Sequence, residues 1–338
     1  MKDVGPQTYP LWPHRLVFNF PYGRWCTFFV VFFLLYLLLS VAGDSEVSRE
    51  NASTVFFAFV IAYIIPASHY INVQTLAAFD SLRPVLKLDN HEVLVLRKTL
   101  EGISATSQIR IALVGCLAGF GHTYLLLGSQ TITFKDLWYL DFNSLVNIML
   151  TIIIWSLLST VVTFLIYNVR VFASLAREYV VIDLLNHSGL RGFSRVAVYS
   201  TFLLLGVLAS FPLLIVDSES NYLSILPGFL ALFLPIFFIF LVPLLPIRKR
   251  IRTEKGRELA LIQKRINEIT SDNSSLVDNN ESLSLIQALF EYRREIQQVP
   301  EWPFDSPAVY RLLFYLFIPP LTWVGAALIE RLMDTISF

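Results

Sequence analysis

His69 and Asn72 stand three residues apart in the apolar stretch IPASHYINV. In a helix that spacing puts both on one face. Pro66, just before them, leaves a backbone carbonyl of that helix without its usual donor. Imidazole titrates near neutrality, so this face is a candidate for lining a polar cavity or sensing pH. The plainer alternative puts both side chains at a membrane surface, satisfied by neighbours or water. His122 follows Gly115, Gly119 and Gly121 in VGCLAGFGHTY. Gly115 and Gly119 have the small-xxx-small spacing that lets a second helix approach closely. His122 is a candidate for an ion path, although one histidine is not a metal site. Further on, Ser156, Ser159, Thr160 and Thr163 join Trp155 on a hydroxyl-bearing side of one apolar block. Such hydroxyls line a pore or, more often, bond to their own helix or to a neighbour.

Charge at the centre of a bilayer is costly and marks function. Here Asp217, Glu330 and Arg331 fall at the ends of apolar blocks. That argues against ion-coupled transport and against an arginine voltage sensor. It leaves room for a channel lined by hydroxyls, amides or backbone. No GxSxG, HExxH, P-loop or GxGxxG occurs. Asp80, Asp89, His91 and Glu92 cluster in one loop, and Asp183 and His187 in another. Neither has a recognisable catalytic spacing, so an enzyme is the least supported reading. Cys26 and Cys116 form no CxxC or Cys/His set, and no disulfide, cofactor or metal is expected.

The elements that carry these residues are long and apolar. The chain has 338 residues, 55% of them hydrophobic, with 28 Phe. The apolar residues gather in blocks near the roughly 20 that cross a bilayer as a helix. Blocks are read at about 25–42, 54–73, 110–128, 144–167, 198–216, 223–246 and 308–329. The fold class is therefore all-α: a polytopic membrane helix bundle of about seven crossings with a cytoplasmic helical hairpin. Pro227, Pro235, Pro243 and Pro246 place kinks along the sixth block, which could serve gating or only shape the bundle. Of 26 Lys and Arg, all but Arg49, Lys135 and Arg331 fall on one side if the blocks alternate. That side is cytoplasmic by the positive-inside rule. The chain then divides into a cytoplasmic segment 1–24, a six-helix region 25–246 with helical loops at 74–110 and 168–197, a hairpin 247–305, and a last membrane helix 306–338. The localisation is the cell membrane, with the N-terminus and residues 247–305 inside. Asn51-Ala52-Ser53 fits a glycosylation acceptor outside. Zero net charge argues against a nucleic-acid partner.

The loops continue the helices. Residues from Val169 to Gly189 keep helical spacing, with Gly189 as the stop. Pro84 bends or ends the extension of the second block. Leu259, Ile262, Ile266 and Ile269 form one stripe. Leu285, Leu289, Phe290, Arg293 and Ile296 form another, across the polar turn SDNSSLVDNNES. Arg248, Lys249, Arg250 and Arg252 follow the sixth block directly, where a basic cluster sets topology and binds anionic lipid. In EWPFDSP, Pro300 and Pro303 end the returning helix. Trp302 and Phe304 suit the headgroup layer as interface anchors.

The run EWPFDSPAVYRLLFYLFIPPLTWVGAALIERLMD, with IRKRIRTEKGRELALIQKRI upstream, resembles a group of uncharacterised prokaryotic multi-pass membrane proteins. The resemblance implies the same plan: several membrane helices, a basic cytoplasmic helical segment, and a W-P-F joint before a last helix. It implies no activity and no functional residue. Three functions are therefore open. The first is a channel-like or passive transport protein, working as a homo-oligomer among membrane lipids. The second is a non-transporting sensor or scaffold with a cytoplasmic protein partner. The third is a membrane enzyme.

Overall fold

A bilayer leaves a backbone no partner but itself, so apolar runs of this length fold as helices. The computed structural model describes residues 8–42, 51–127, 142–185, 187–214, 222–272 and 280–303, with residues 314, 317, 321, 324, 325 and 328 beyond. Nine helices are defined there: α1 Gly23–Ala42, α2 Asn51–Leu82, α3 Asn90–Glu101, α4 Ala105–Leu127, α5 Phe142–Glu178, α6 Arg191–Leu208, α7 Tyr222–Leu241, α8 Leu244–Asp272 and α9 Asn280–Gln298. The only β pairings among the described residues are two isolated bridges, Tyr9 with Ile103 and Leu86 with Val180.

Five helices are long and apolar enough to cross a membrane: Gly23–Val41, Thr54–Val85, Ile148–Glu178, Arg191–Leu213 and Leu226–Ser271. They suit an integral membrane protein. The expected seven are not reached among the described residues. The third expected block, now α4, is not among the five, and the seventh lies mostly outside the description. Phe314, Phe317, Leu321, Val324 and Leu328 from that block are helical and exposed.

Helix α2 lies at the centre, against α1, α3, α5 and α6. Its 32 residues and the 37 of α5 give lengths of ~48 and ~56 Å. Both exceed a hydrocarbon core of roughly 30 Å, so each projects beyond it. Helix α4 runs along α5, and α7 packs on α6. Only 11% of the α1 span is buried, against 72% of that containing α6. The open face of α1 carries Trp25, Phe29, Phe33 and Leu37, which suits lipid.

One local expectation, that Pro84 ends the extension of the second block, holds, and two change. Pro66 sits inside α2 without ending it, and the helix stops at Leu82, before the 3-10 turn Arg83–Val85. The fifth helix stops at Glu178, well before Gly189, because the next residues pair as extended chain. Lys87 N donates to Tyr179 O, and Val181 N to Val85 O. The β-branched run Val180-Val181-Ile182 favours that geometry. The sixth block breaks at Val242–Pro243, and α8 starts anew at Leu244.

Helices α8 and α9 pack antiparallel through Ile262, Ile266 and Ile296, with Leu259, Leu289 and Tyr292 around them. Tyr292 donates to Glu258, Arg293 to Gln263, and Lys255 Nζ to the carbonyls of Gln297 and Val299. The last two bonds place a cation on the C-terminal end of α9, where the helix dipole favours it. The polar turn expected between the two helices falls largely outside the described residues.

Candidate functional site

A polar cluster inside the bundle, among the described residues, is built by a segment expected to lie in the cytoplasm. Residues 8–16 enter between α2, α4 and α5. Leu11 is fully buried, and His14 is only 8% exposed. Backbone bonds between Tyr9 and Ile103 fasten the entry, at 3.0 and 3.1 Å. Gln108 of α4 completes it. Its Oε1 accepts from Trp12 N at 3.0 Å, and its Nε2 donates to the carbonyls of Tyr9, Pro10 and Ile103. Gly102 makes this approach feasible, since a Cβ there would run into the Tyr9 carbonyl.

The 3-10 turn Trp12–Leu16 then carries two rings into the core. Trp12 Nε1 donates to Thr160 Oγ1 at 3.4 Å. The His14 ring meets His69 edge-on at 5.4 Å and Phe164 at 6.3 Å between centroids. Asn72, one turn beyond His69, donates to the Glu101 carbonyl at 3.4 Å. Asn168 follows Phe164 by one turn of α5 and is 1% exposed. Several buried polar atoms in this layer find no protein partner: His14 Nε2, His69 Nδ1, Asn72 Oδ1, and both Asn168 side-chain atoms. An orphaned buried polar group costs about 1–3 kcal/mol.

Burial, with the neighbouring His69 charge as the second cause, pushes His14 down from the ordinary histidine range to about 3. The native chain then declines a proton that the unfolded chain takes up near pH 6.5. Stability is thus lost as pH falls from about 6.5 toward 3, at a slope approaching ~1.4 kcal/mol per pH unit. Replacing His14 by Phe is expected to flatten that acid limb and, because it also removes the unpaired Nε2, to raise stability above pH 7 by about 1 kcal/mol. Unfolding midpoints in detergent across this range measure it. Asn168→Leu is expected to raise stability by about 1–3 kcal/mol, because it removes two unpaired polar atoms. A fall in the midpoint would instead show that Asn168 holds a polar partner.

The other expected residues divide among separate places. Thr160 Oγ1 also donates to the Ser156 carbonyl at 2.8 Å. Ser156 lies under Gly115, where a Cβ would come within 2.6 Å of the Ser156 Cα. At Gly119 the corresponding distance is 2.8 Å, to Ile152 Cα. Ser159 and Thr163 line a lateral groove of about 410 Å³ with Arg110, Trp155 and Ala231. The hydroxyl side of α5 therefore serves two different surroundings. His122 Nδ1 accepts from Trp155 Nε1 at 2.8 Å. Among the described residues no three His, Cys, Asp or Glu gather as a metal site. Cys26 and Cys116 are free thiols.

The basic cluster is also divided. Arg248 lies 4.5 Å over the Trp302 ring and 3.9 Å from Glu301. Arg250 donates to the carbonyls of Ala176 and Arg177, at the end of α5. Lys249 and Arg252 are exposed. Phe304 lies outside the described residues. In the α2–α3 loop, Asp80 pairs with Arg97 at 2.9 Å, while Asp89 and Glu92 cap α3 reciprocally. His91 is exposed. Asp183 accepts from Leu185 N. His187 opens a 3-10 turn, and its side chain lies outside the description.

Sequence reading missed His14, Trp12, Gln108 and Asn168. One signal was present: Leu11-Trp12-Pro13-His14 is apolar and aromatic for a solvated tail. Compared with protein-family models, curated proteins and solved structures, the chain finds no match.

Proposed function

We propose that this chain is a non-transporting membrane sensor or scaffold, in which α5 couples the polar layer around His14 and His69 to the α8–α9 pair. One observation carries the reading. A single unbroken helix, α5, holds Thr160 and Phe164 against Trp12 and His14, and its last carbonyls accept Arg250 of α8. Just beyond it, Leu184 packs on Ile262, Ile266 and Ile296. A rigid element touching two sites is the physical means by which one can bias the other. The α8–α9 pair presents Leu285 and Phe290 outward, which suits a soluble partner. On this reading the pair lies in the cytoplasm, the side that the distribution of Lys and Arg favours for it.

The channel-like reading rested on the hydroxyls of α5 and on the proline kinks of the sixth block. Ser156 and Thr160 are engaged within the bundle, while Ser159 and Thr163 open sideways. A path through them needs further copies of the chain.

The test is hydrogen exchange of α8 and α9 in reconstituted protein, with and without the substitution Gly102→Ala, which dislodges the N-terminal segment. Changed protection in α9, more than 100 residues away in the chain, is expected. Identical protection in the two proteins would sink the coupling. Ion or small-solute flux through liposomes containing the purified chain would return the channel-like reading to first place.

A further inference from the structure

Helices α5 and α8 meet at a groove of about 450 Å³. Arg177, from the last turn of α5, faces Lys249 and Arg250, from the start of α8, across it. Among the described residues Glu254 is the one carboxylate on its lining, so cations prevail there three to one. Thr253 lines it too, with its hydroxyl bonded back to the Lys249 carbonyl at 2.9 Å. Leu245 and Pro246 form the remaining wall, and Leu245 is exposed.

We propose that this groove binds the phosphate of an anionic phospholipid. Three features support the assignment. Arg250 is held by its bonds to the Ala176 and Arg177 carbonyls, at 3.4 and 3.1 Å, so its planar fork is fixed before any ligand arrives. A fixed guanidinium loses little freedom on binding a phosphate. Arg177 and Lys249 add the charge that an isolated fork lacks, from two different helices. The apolar wall belongs to the stretch that continues from α7, whose Tyr222–Leu241 run is among the most apolar in the chain. The cations therefore stand at the level where a membrane surface meets water, beside a surface that acyl chains can cover. A soluble phosphate would use the cations and leave Leu245 and Pro246 without a role.

The assignment differs from a simple basic tail. Arg252 is in the same run but does not line the groove, and Arg248 is engaged with Trp302 and Glu301. Arg177, far away in sequence, does line it. Lipid binding here stands without the coupling proposed above, though it would act at the same joint.

The test uses the full chain in nanodiscs of phosphatidylcholine with a minor share of phosphatidylglycerol. Native mass spectrometry counts the phosphatidylglycerol retained. One tightly held molecule per chain is expected. Arg177→Gln and Lys249→Gln should each weaken its retention about fivefold, as expected per cation near a membrane. Arg252→Gln should not. All three positions are exposed, and unfolding in pure phosphatidylcholine checks that each variant keeps its fold. Equal losses in Arg252→Gln and Arg177→Gln would mean a diffuse charge effect and overturn the site. No retained lipid would overturn it as well. Inorganic phosphate that binds with the same residue dependence, and removes the lipid, would overturn the lipid as the source of the phosphate.

Discussion

Gly115→Leu is expected to cost about 3 kcal/mol and to separate α4 from α5, while Gly121→Leu on the same helix costs nothing measurable. At Gly115 a Cβ would lie 2.6 Å from Ser156 Cα and 2.7 Å from the Trp155 carbonyl. Both are backbone atoms, so no rotamer change relieves the contact. Overpacking of a tight interface costs about 1–3 kcal/mol, and a rigid partner puts this case at the upper end. At Gly121 a Cβ meets nothing within 4 Å. Leucine there also gains about 1 kcal/mol in helix propensity over glycine. Detergent unfolding of the two variants gives the comparison. The Trp155–His122 bond, 2.8 Å long and in the same interface, supplies a local report through tryptophan fluorescence. If Gly115→Leu unfolds like the parent protein, the close approach of α4 and α5 is wrong.

Gly102→Ala has the second large effect, of a different kind. It is expected to free residues 8–16 without unfolding the bundle. The added methyl collides with the Tyr9 carbonyl, so the Tyr9–Ile103 bridge must open. The bonds of Gln108 to Tyr9, Pro10 and Trp12 go with it. Five hydrogen bonds are lost in all, and even three of them at ~1 kcal/mol each, with water compensating the rest, raise the open population on the order of a hundredfold. Protease cleavage near Trp12 should speed up accordingly, with the unfolding midpoint of the bundle little changed. Gly102 itself is extended, with φ of 179°, so the effect comes from crowding and not from backbone strain. Unchanged cleavage would show that the segment is not held through this joint.

Much of the architecture was legible because lipid imposes simple rules. The apolar blocks mark α1, α2, α5 and α6, since a spanning segment must be apolar, long and helical. The stripe Leu259-Ile262-Ile266 marks the face of α8 that meets Ile296 of α9, because helical periodicity is local. Gly115 and Gly119 could be picked out for the same reason. The number of crossings was less legible. Glycines and His122 dilute α4, and α8 follows α7 after a break of two residues.

The site was hardly legible. His69 and Asn72 are neighbours in sequence, and their shared face follows from spacing alone. What they face does not. His14 reaches His69 only because Gly102, Gln108 and Thr160, distant from it in sequence, together make a berth for residues 8–16. The same holds at the basic cluster. Composition shows Arg248, Lys249, Arg250 and Arg252 as one run. Tertiary contacts give Arg248 to Trp302 and Arg250 to the end of α5, and bring in Arg177. Sequence alone determined which segments suit lipid and which faces are apolar, because those properties belong to each helix by itself. Tertiary structure decided which polar groups meet, because desolvation and hydrogen bonding depend on partners that the chain brings together only when folded.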